Sequence, residues 1–164
     1  MKGQYFSFDA IVAAIIMITA FTLLFTYWFS MQYAVESRTL DLQSNAMRIA
    51  DSLLTPGKPD SWETYPQLAN VHQIGIASGF SNTLSKPKVE KLSQYFGNPA
   101  HRAQVMNLLR CPSNCSIYIA RTDGVGVPYS MGGSPPANAT DVAIVHRGGV
   151  LAGYPVKITV TIWR

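Results

Sequence analysis

From Ala10 to Val35 the chain carries no charge, no proline and no glycine. A helix of that length would run roughly 39 Å at about 1.5 Å per residue. A hydrocarbon core needs only about 20 apolar residues, so the stretch predicts a membrane-crossing helix rather than a buried soluble one. Its apolar run is too long for a secretory signal, and no small-residue cleavage site follows it. Beyond it the pattern becomes one-sided. Val35, Leu42, Ala46, Ile49 and Leu53 recur at helical spacings among Glu36, Arg38, Asp41 and Arg48, which is the signature of an amphipathic helix. The two patterns join into one predicted helix over about 7–54. Thr55-Pro56-Gly57-Lys58-Pro59 ends it, because two prolines and a glycine cannot continue the ladder.

The remainder reads as shorter elements. Asp60-Ser61-Trp62-Glu63 is a turn with Trp62 as an anchor, and residues 72–77 form a short strand. A helix begins near Ser85, a candidate N-cap, with Pro87 in the first turn and Val89, Leu92, Tyr95 and Phe96 on its apolar face. Gly97-Asn98-Pro99 stops it, and a second short helix covers 100–110 with Val105, Leu108 and Leu109 inward. Alternation over 116–122, 142–147 and 154–163 predicts three strands. A turn at Asp123-Gly124, a loop over 126–139 and a turn region spanning Gly148-Gly149 to Gly153 separate them. The fold class expected is α+β: a long N-terminal helix and a small head holding an antiparallel sheet. The organisation is a tripeptide, 1–3, a transmembrane and amphipathic helix, 4–55, and a head domain, 56–164.

Composition places the head. Of the 164 residues only 13% are charged, and the C-terminal half is rich in Gly, Pro, Ser, Thr and Asn, a balance suited to an extracellular surface. The net charge of +4 is scattered, with no basic run interleaved with aromatics, so no nucleic-acid partner is argued. Lys2 precedes the apolar helix and favours a cytoplasmic N-terminus with the head outside. Ala10, Ala13, Ala14 and Ala20 share one side of the helix, where small residues permit close approach in lipid. Thr19, Thr22 and Thr26 can bond back to the preceding turn. Tyr27, Trp28, Phe29 and Tyr33 suit an aromatic belt. Asp9 reads as an acid in the first helical turn, complementing the macrodipole.

The remaining candidate chemistry is sparse. Cys111 and Cys115 are close in sequence, and in an exported head a disulfide is expected; a zinc site would need further ligands that the distant His101 and His146 do not supply. Asn114-Cys115-Ser116 and Asn138-Ala139-Thr140 are glycosylation sequons, with Asn138 the better placed, in a loop. His72, His101 and His146 stand in different elements. No catalytic motif, phosphate loop or metal cluster is present in the sequence, so no enzyme activity and no cofactor is expected.

Lys2-Gly3-Gln4, an acid shortly after, and a long uninterrupted apolar helix together resemble archaeal type IV pilin-like proteins with a class III signal peptide. Ala50-Asp51-Ser52-Leu53-Leu54, Pro59-Asp60-Ser61-Trp62, Ile74-Gly75-Ile76-Ala77 and Val160-Thr161-Ile162-Trp163 are similar to minor or uncharacterised members. The resemblance implies that a prepilin-type membrane peptidase cuts between Gly3 and Gln4. It also implies an assembly platform and other pilin-like subunits as partners, with membrane lipid around the helix. Asp9 would pair with the free α-amine of a neighbouring subunit. Most such pilins place the acid fifth after the cut, and Asp9 would be sixth; a cut between Gln4 and Tyr5 restores the spacing but loses the usual Gln start. The function implied is a structural subunit of a surface filament. The alternative is an uncleaved single-pass anchor whose exported head binds a partner.

Overall fold

The computed structural model describes residues 3–79, 82–111 and 114–164; for residues 3–7 and 35–39 it describes the backbone alone. Lys2 therefore lies outside the described residues, and Val35 outside the described side chains. The fold is α+β. A helix, α1, covers Gly3–Leu53, and a head follows with two short helices, α2 (Lys86–Gly97) and α3 (Pro99–Leu108). Its strands are β1 (Thr83–Leu84), β2 (Asn114–Arg121), β3 (Tyr129–Gly132), β4 (Val142–Leu151) and β5 (Tyr154–Trp163). The chain forms two compact units, divided between Leu40 and Asp41. The end of α1, from Asp41 on, thus belongs to the head.

The head has one five-stranded sheet in the order β1-β4-β5-β2-β3. β1 runs parallel to β4, and every other neighbour pair is antiparallel. Alternation puts Ile117, Ile119, Ala143, Val145, Val156, Ile158, Val160 and Ile162 on the buried face. They share one core with Leu42, Ala46, Ile49, Ala50 and Leu53 of α1 and with Val89, Leu92 and Phe96 of α2. The helical positions picked out by periodicity after Val35 are those that bury. Fully burying a Leu or Ile contributes about 1.5–3 kcal/mol. Arg147, on β4, adds a 2.8 Å bond from Nε to Asp51 Oδ1 of α1.

Residues 72–77 depart from the expected strand. They make only isolated bridges, Lys58 to Gln73 and Ala77 to Leu84. His72 N and Gln73 N donate to Lys58 O, while two later N–H groups go to the end of α1 and the turn after it: Ile76 N donates to Leu53 O at 2.8 Å, and Ala77 N to Thr55 O at 3.1 Å. Carbonyls left orphaned by the end of a helix are thereby satisfied. The approach requires Gly75, where a Cβ would lie 2.0 Å from Thr55 O. Trp62 closes the same region, fully buried, with Nε1 donating to Gly75 O at 2.7 Å.

Ser85 takes the expected N-cap position of α2, with Pro87 in the first turn, although its hydroxyl makes no capping bond; Asn98 caps α3, accepting from Ala100 N at 3.0 Å. Two further expectations are corrected. The loop expected over 126–139 contains β3. Gly148-Gly149 lies inside β4, and the hairpin turns later, at Ala152-Gly153, where both residues have positive φ, as a two-residue type I′ turn demands. Gly149 has a packing reason. A Cβ there would lie 3.0 Å from Asn82 O, at the edge where β1 joins β4.

Lys88 is the sole buried charged residue among those described, 4% exposed. Its Nζ donates to Pro56 O (2.9 Å), Asp60 Oδ1 (3.0 Å) and Ala77 O (3.1 Å). Lys88→Met should destabilise the head by about 2–4 kcal/mol, since it strands buried acceptors. Lys86→Met, which breaks an exposed pair with Glu90, should change stability by no more than about 0.5 kcal/mol. Urea unfolding of both variants in detergent checks the contrast.

Candidate functional site

The helix over Phe8–Ala34 is the most distinctive feature. Its mean hydropathy is 2.4 and none of it is buried. Among the described residues it is the one helix long and apolar enough to cross a membrane. Ile11, Ile15, Ile18, Phe21, Leu24, Phe25 and Trp28 are all exposed, so in water this surface would be left uncovered. The threonine hydroxyls are satisfied within the helix. Thr19 Oγ1 donates to Ile15 O at 2.7 Å, Thr22 Oγ1 to Ile18 O at 2.8 Å, and Thr26 Oγ1 to Leu23 O at 2.9 Å. These threonines therefore need no neighbouring chain or water to bond their hydroxyls.

Asp9 is exposed, and among the described residues its side chain makes no hydrogen bond or ion pair. The helix already begins at Gly3, and no acid lies in its first turn. Asp9 is thus a turn further in than the sequence reading placed it, and the macrodipole's stabilisation fades beyond that first turn. Local dipole compensation accounts for little of this carboxylate. Gly3 and Gln4, the residues flanking the expected cut, have helical backbone, and the Gln4 side chain lies outside the described residues.

Cys111 and Cys115 come together between α3 and β2 and are thiols in this structure. Cys115 is buried and Cys111 half-buried. A hydrogen bond with Cys111, reinforced by burial, pushes the Cys115 thiol far above its ordinary value. Pro112 and Ser113 of the loop between the cysteines lie outside the described residues.

The two sequons differ in setting. Asn114 is the first residue of β2, in register with Trp163, and Cys115 beside it is buried. Asn138 is exposed in the β3–β4 connection, before Thr140, whose Oγ1 donates to Arg164 O at 3.3 Å. The structure does not bring the histidines together. His146 Nδ1 lies 3.0 Å from Thr159 Oγ1, His101 rests against the Tyr95 ring, and His72 lies at the surface. No group of three potential metal ligands occurs among the described residues.

No family model, curated protein or solved structure matches the chain.

Two outcomes follow for the head. The folded state holds the Cys115 proton, while an unfolded chain releases it near the ordinary thiol value of 9.0. Above that pH the folded state binds more protons, so stability falls as pH rises. Cys115→Ala should flatten this loss, as read by urea unfolding of wild type and variant over an alkaline pH series under reducing conditions. Peptide mass mapping of protein from its native host should find a glycan on Asn138 and none on Asn114; an unmodified Asn138 removes that assignment.

Proposed function

We propose that the chain is a structural subunit of a surface filament of the archaeal type IV pilin-like kind, assembled through its apolar N-terminal helix after cleavage between Gly3 and Gln4. The observation that carries this reading is the wholly unburied helix over Phe8–Ala34 with an unpartnered Asp9 beside its start. A plain lipid anchor needs the apolar length and gains nothing from a carboxylate at the membrane edge, which is costly there. A helix packed among copies of itself offers that carboxylate a cation, the α-amine freed by cleavage. Before assembly the same helix holds the subunit in the membrane as a single pass, with the N-terminus cytoplasmic and the head outside. The small-residue side at Ala10, Ala13, Ala14 and Ala20 gives neighbouring helices a close approach. The head would be the exposed surface of the filament. In the oxidising exterior Cys111 and Cys115 would join as a disulfide.

The direct test is the mass and first residue of the membrane-associated protein from its native host. A start at Gln4 is expected. A start at Tyr5 moves the cut by one bond and keeps the reading, whereas an intact Met1 in a host with active peptidase overturns it in favour of a simple anchor. Asp9→Ala should still insert in the membrane but leave subunits unassembled; filaments formed by that variant would exclude the pairing role.

A further inference from the structure

Some cations of the head are paired and some are not. Lys86, Lys88, Arg121 and Arg147 each pair with an acid, namely Glu90, Asp60, Asp123 and Asp51. Arg48 and Arg110 do not, and both line one cleft of about 290 Å³. The cleft lies within the head, between the end of α1, the 72–73 segment and the end of α3. His72, Gln73 and Ser52 complete its polar wall and Leu109 part of its apolar lining. No carboxylate lines it.

The wall is built before any ligand arrives. Gln73 Nε2 donates to Thr55 Oγ1 at 3.2 Å and to Ser52 Oγ at 3.4 Å. Arg48 Nη2 donates to Arg110 O at 2.8 Å, which fixes the α3 end. Arg48 Nη2 also donates to Asn45 Oδ1 at 3.4 Å, which leaves Nε and Nη1, three of the five Arg48 donors, uncommitted. Among the described residues, the side chains of Arg110 and His72 make no hydrogen bond or ion pair at all.

Arg110 is also in a conformation that its residue type resists. Helix α3 ends in a Schellman motif: Cys111 N donates to Met106 O and Arg110 N to Asn107 O, both at 2.9 Å. The motif puts Arg110 at φ +52°, the left-handed position that glycine fills most readily. An arginine there strains the backbone and, among the described residues, returns no side-chain hydrogen bond or ion pair. Strain of this kind, held beside a cleft, points to a role for the side chain outside the fold.

We propose that this cleft binds an oxyanion group, carboxylate or tetrahedral, on a ligand of about monosaccharide size. Arg110, Arg48 and His72 would supply the charge-assisted hydrogen bonds, with guanidinium forks matched to the oxygens. The volume falls just under the range of about 300–1,000 Å³ typical of small-molecule sites, so one charged unit fits and a larger compound does not. The site is contained in the head and is read on purified protein, so it stands or falls separately from cleavage and filament assembly.

The test is a titration of the ¹⁵N-labelled full chain in detergent with sodium phosphate, sodium sulfate, sodium glucuronate and glucose, against sodium chloride at equal ionic strength. Saturable shifts of the Arg110, Gln73 and His72 amide signals are expected with the oxyanions and not with glucose or chloride. Tighter binding of glucuronate identifies an acidic sugar as the source of the group, and tighter phosphate or sulfate a free tetrahedral anion. Arg110→Gly should keep or raise the melting temperature, because it relieves the left-handed residue. It should weaken binding by about ten-fold or more, the scale of one lost charge-assisted hydrogen bond. Absence of saturable shifts with all three oxyanions, or unchanged affinity in a folded Arg110→Gly protein, overturns the site.

Discussion

A single buried ammonium sets the geometry of the head. Lys88 brings three donors and no acceptor, and it meets three oxygens, one each from Pro56, Asp60 and Ala77. Those oxygens lie on the segment that leaves α1, the turn before Trp62 and the approach to β1. Asp60 is largely exposed, so its attraction to Lys88 is screened by solvent and modest. The two carbonyls do more. They satisfy a charge that would otherwise be desolvated without compensation, and the ammonium in turn satisfies them. With Ala77 fixed, Ile76 and Ala77 reach the last carbonyls of α1, and Ser85 N can donate to Ile76 O at 2.8 Å, where α2 begins. The irregular chain over 55–79 has little regular pairing of its own. Its order comes from Lys88, from Trp62 and from the close pass at Gly75.

Helix α1 answers to two different surroundings without a break in its backbone. Over Phe8–Ala34 every described side chain is exposed, and in the head Leu42, Ala46, Ile49, Ala50 and Leu53 are buried. Both behaviours are written in side chains alone, because the hydrogen-bond ladder is the same in each. Apolar all round suits lipid or neighbouring helices; apolar on one side suits a sheet. The change from one to the other, near Leu40, is where the two compact units divide.

These periodic features were legible in the sequence because burial imposes a repeat: sevens and fours on α1, twos on β2, β4 and β5. What was not legible depends on contacts distant in the chain. The N–H groups of residues 72–77 look like those of any strand until the carbonyls of Leu53, Thr55 and Lys58 are beside them. Gly148-Gly149 reads as a turn because glycine usually breaks a strand, and only the arrival of β1 shows why Gly149 is kept there. β3 is short, and Tyr129-Ser130-Met131-Gly132 shows alternation too brief to stand out from the glycine and proline around it. Of the site, the apolar helix and Asp9 were visible as pattern. Arg48, His72 and Arg110 were not, since they lie far apart in sequence and share no motif. A signal did exist in Asn107 to Cys111, a helix end with arginine where glycine is usual, but the sequence alone does not say where α3 stops.

The strand order carries a consequence for biosynthesis. β5 lies between β4 and β2 and forms the two longest pairings in the sheet, yet the ribosome makes it after the other four strands. Until it emerges, β2 has only β3 beside it in the sheet, β4 has only β1, and no backbone pairing joins these two ribbons. Two-stranded ribbons of this kind are marginal in water. The nascent sheet therefore lacks its central strand through most of its synthesis, and closes when Tyr154–Trp163 slots between its neighbours. A ribosome stalled short of Tyr154 would leave an aggregation-prone chain for quality control to remove, rather than a smaller folded head.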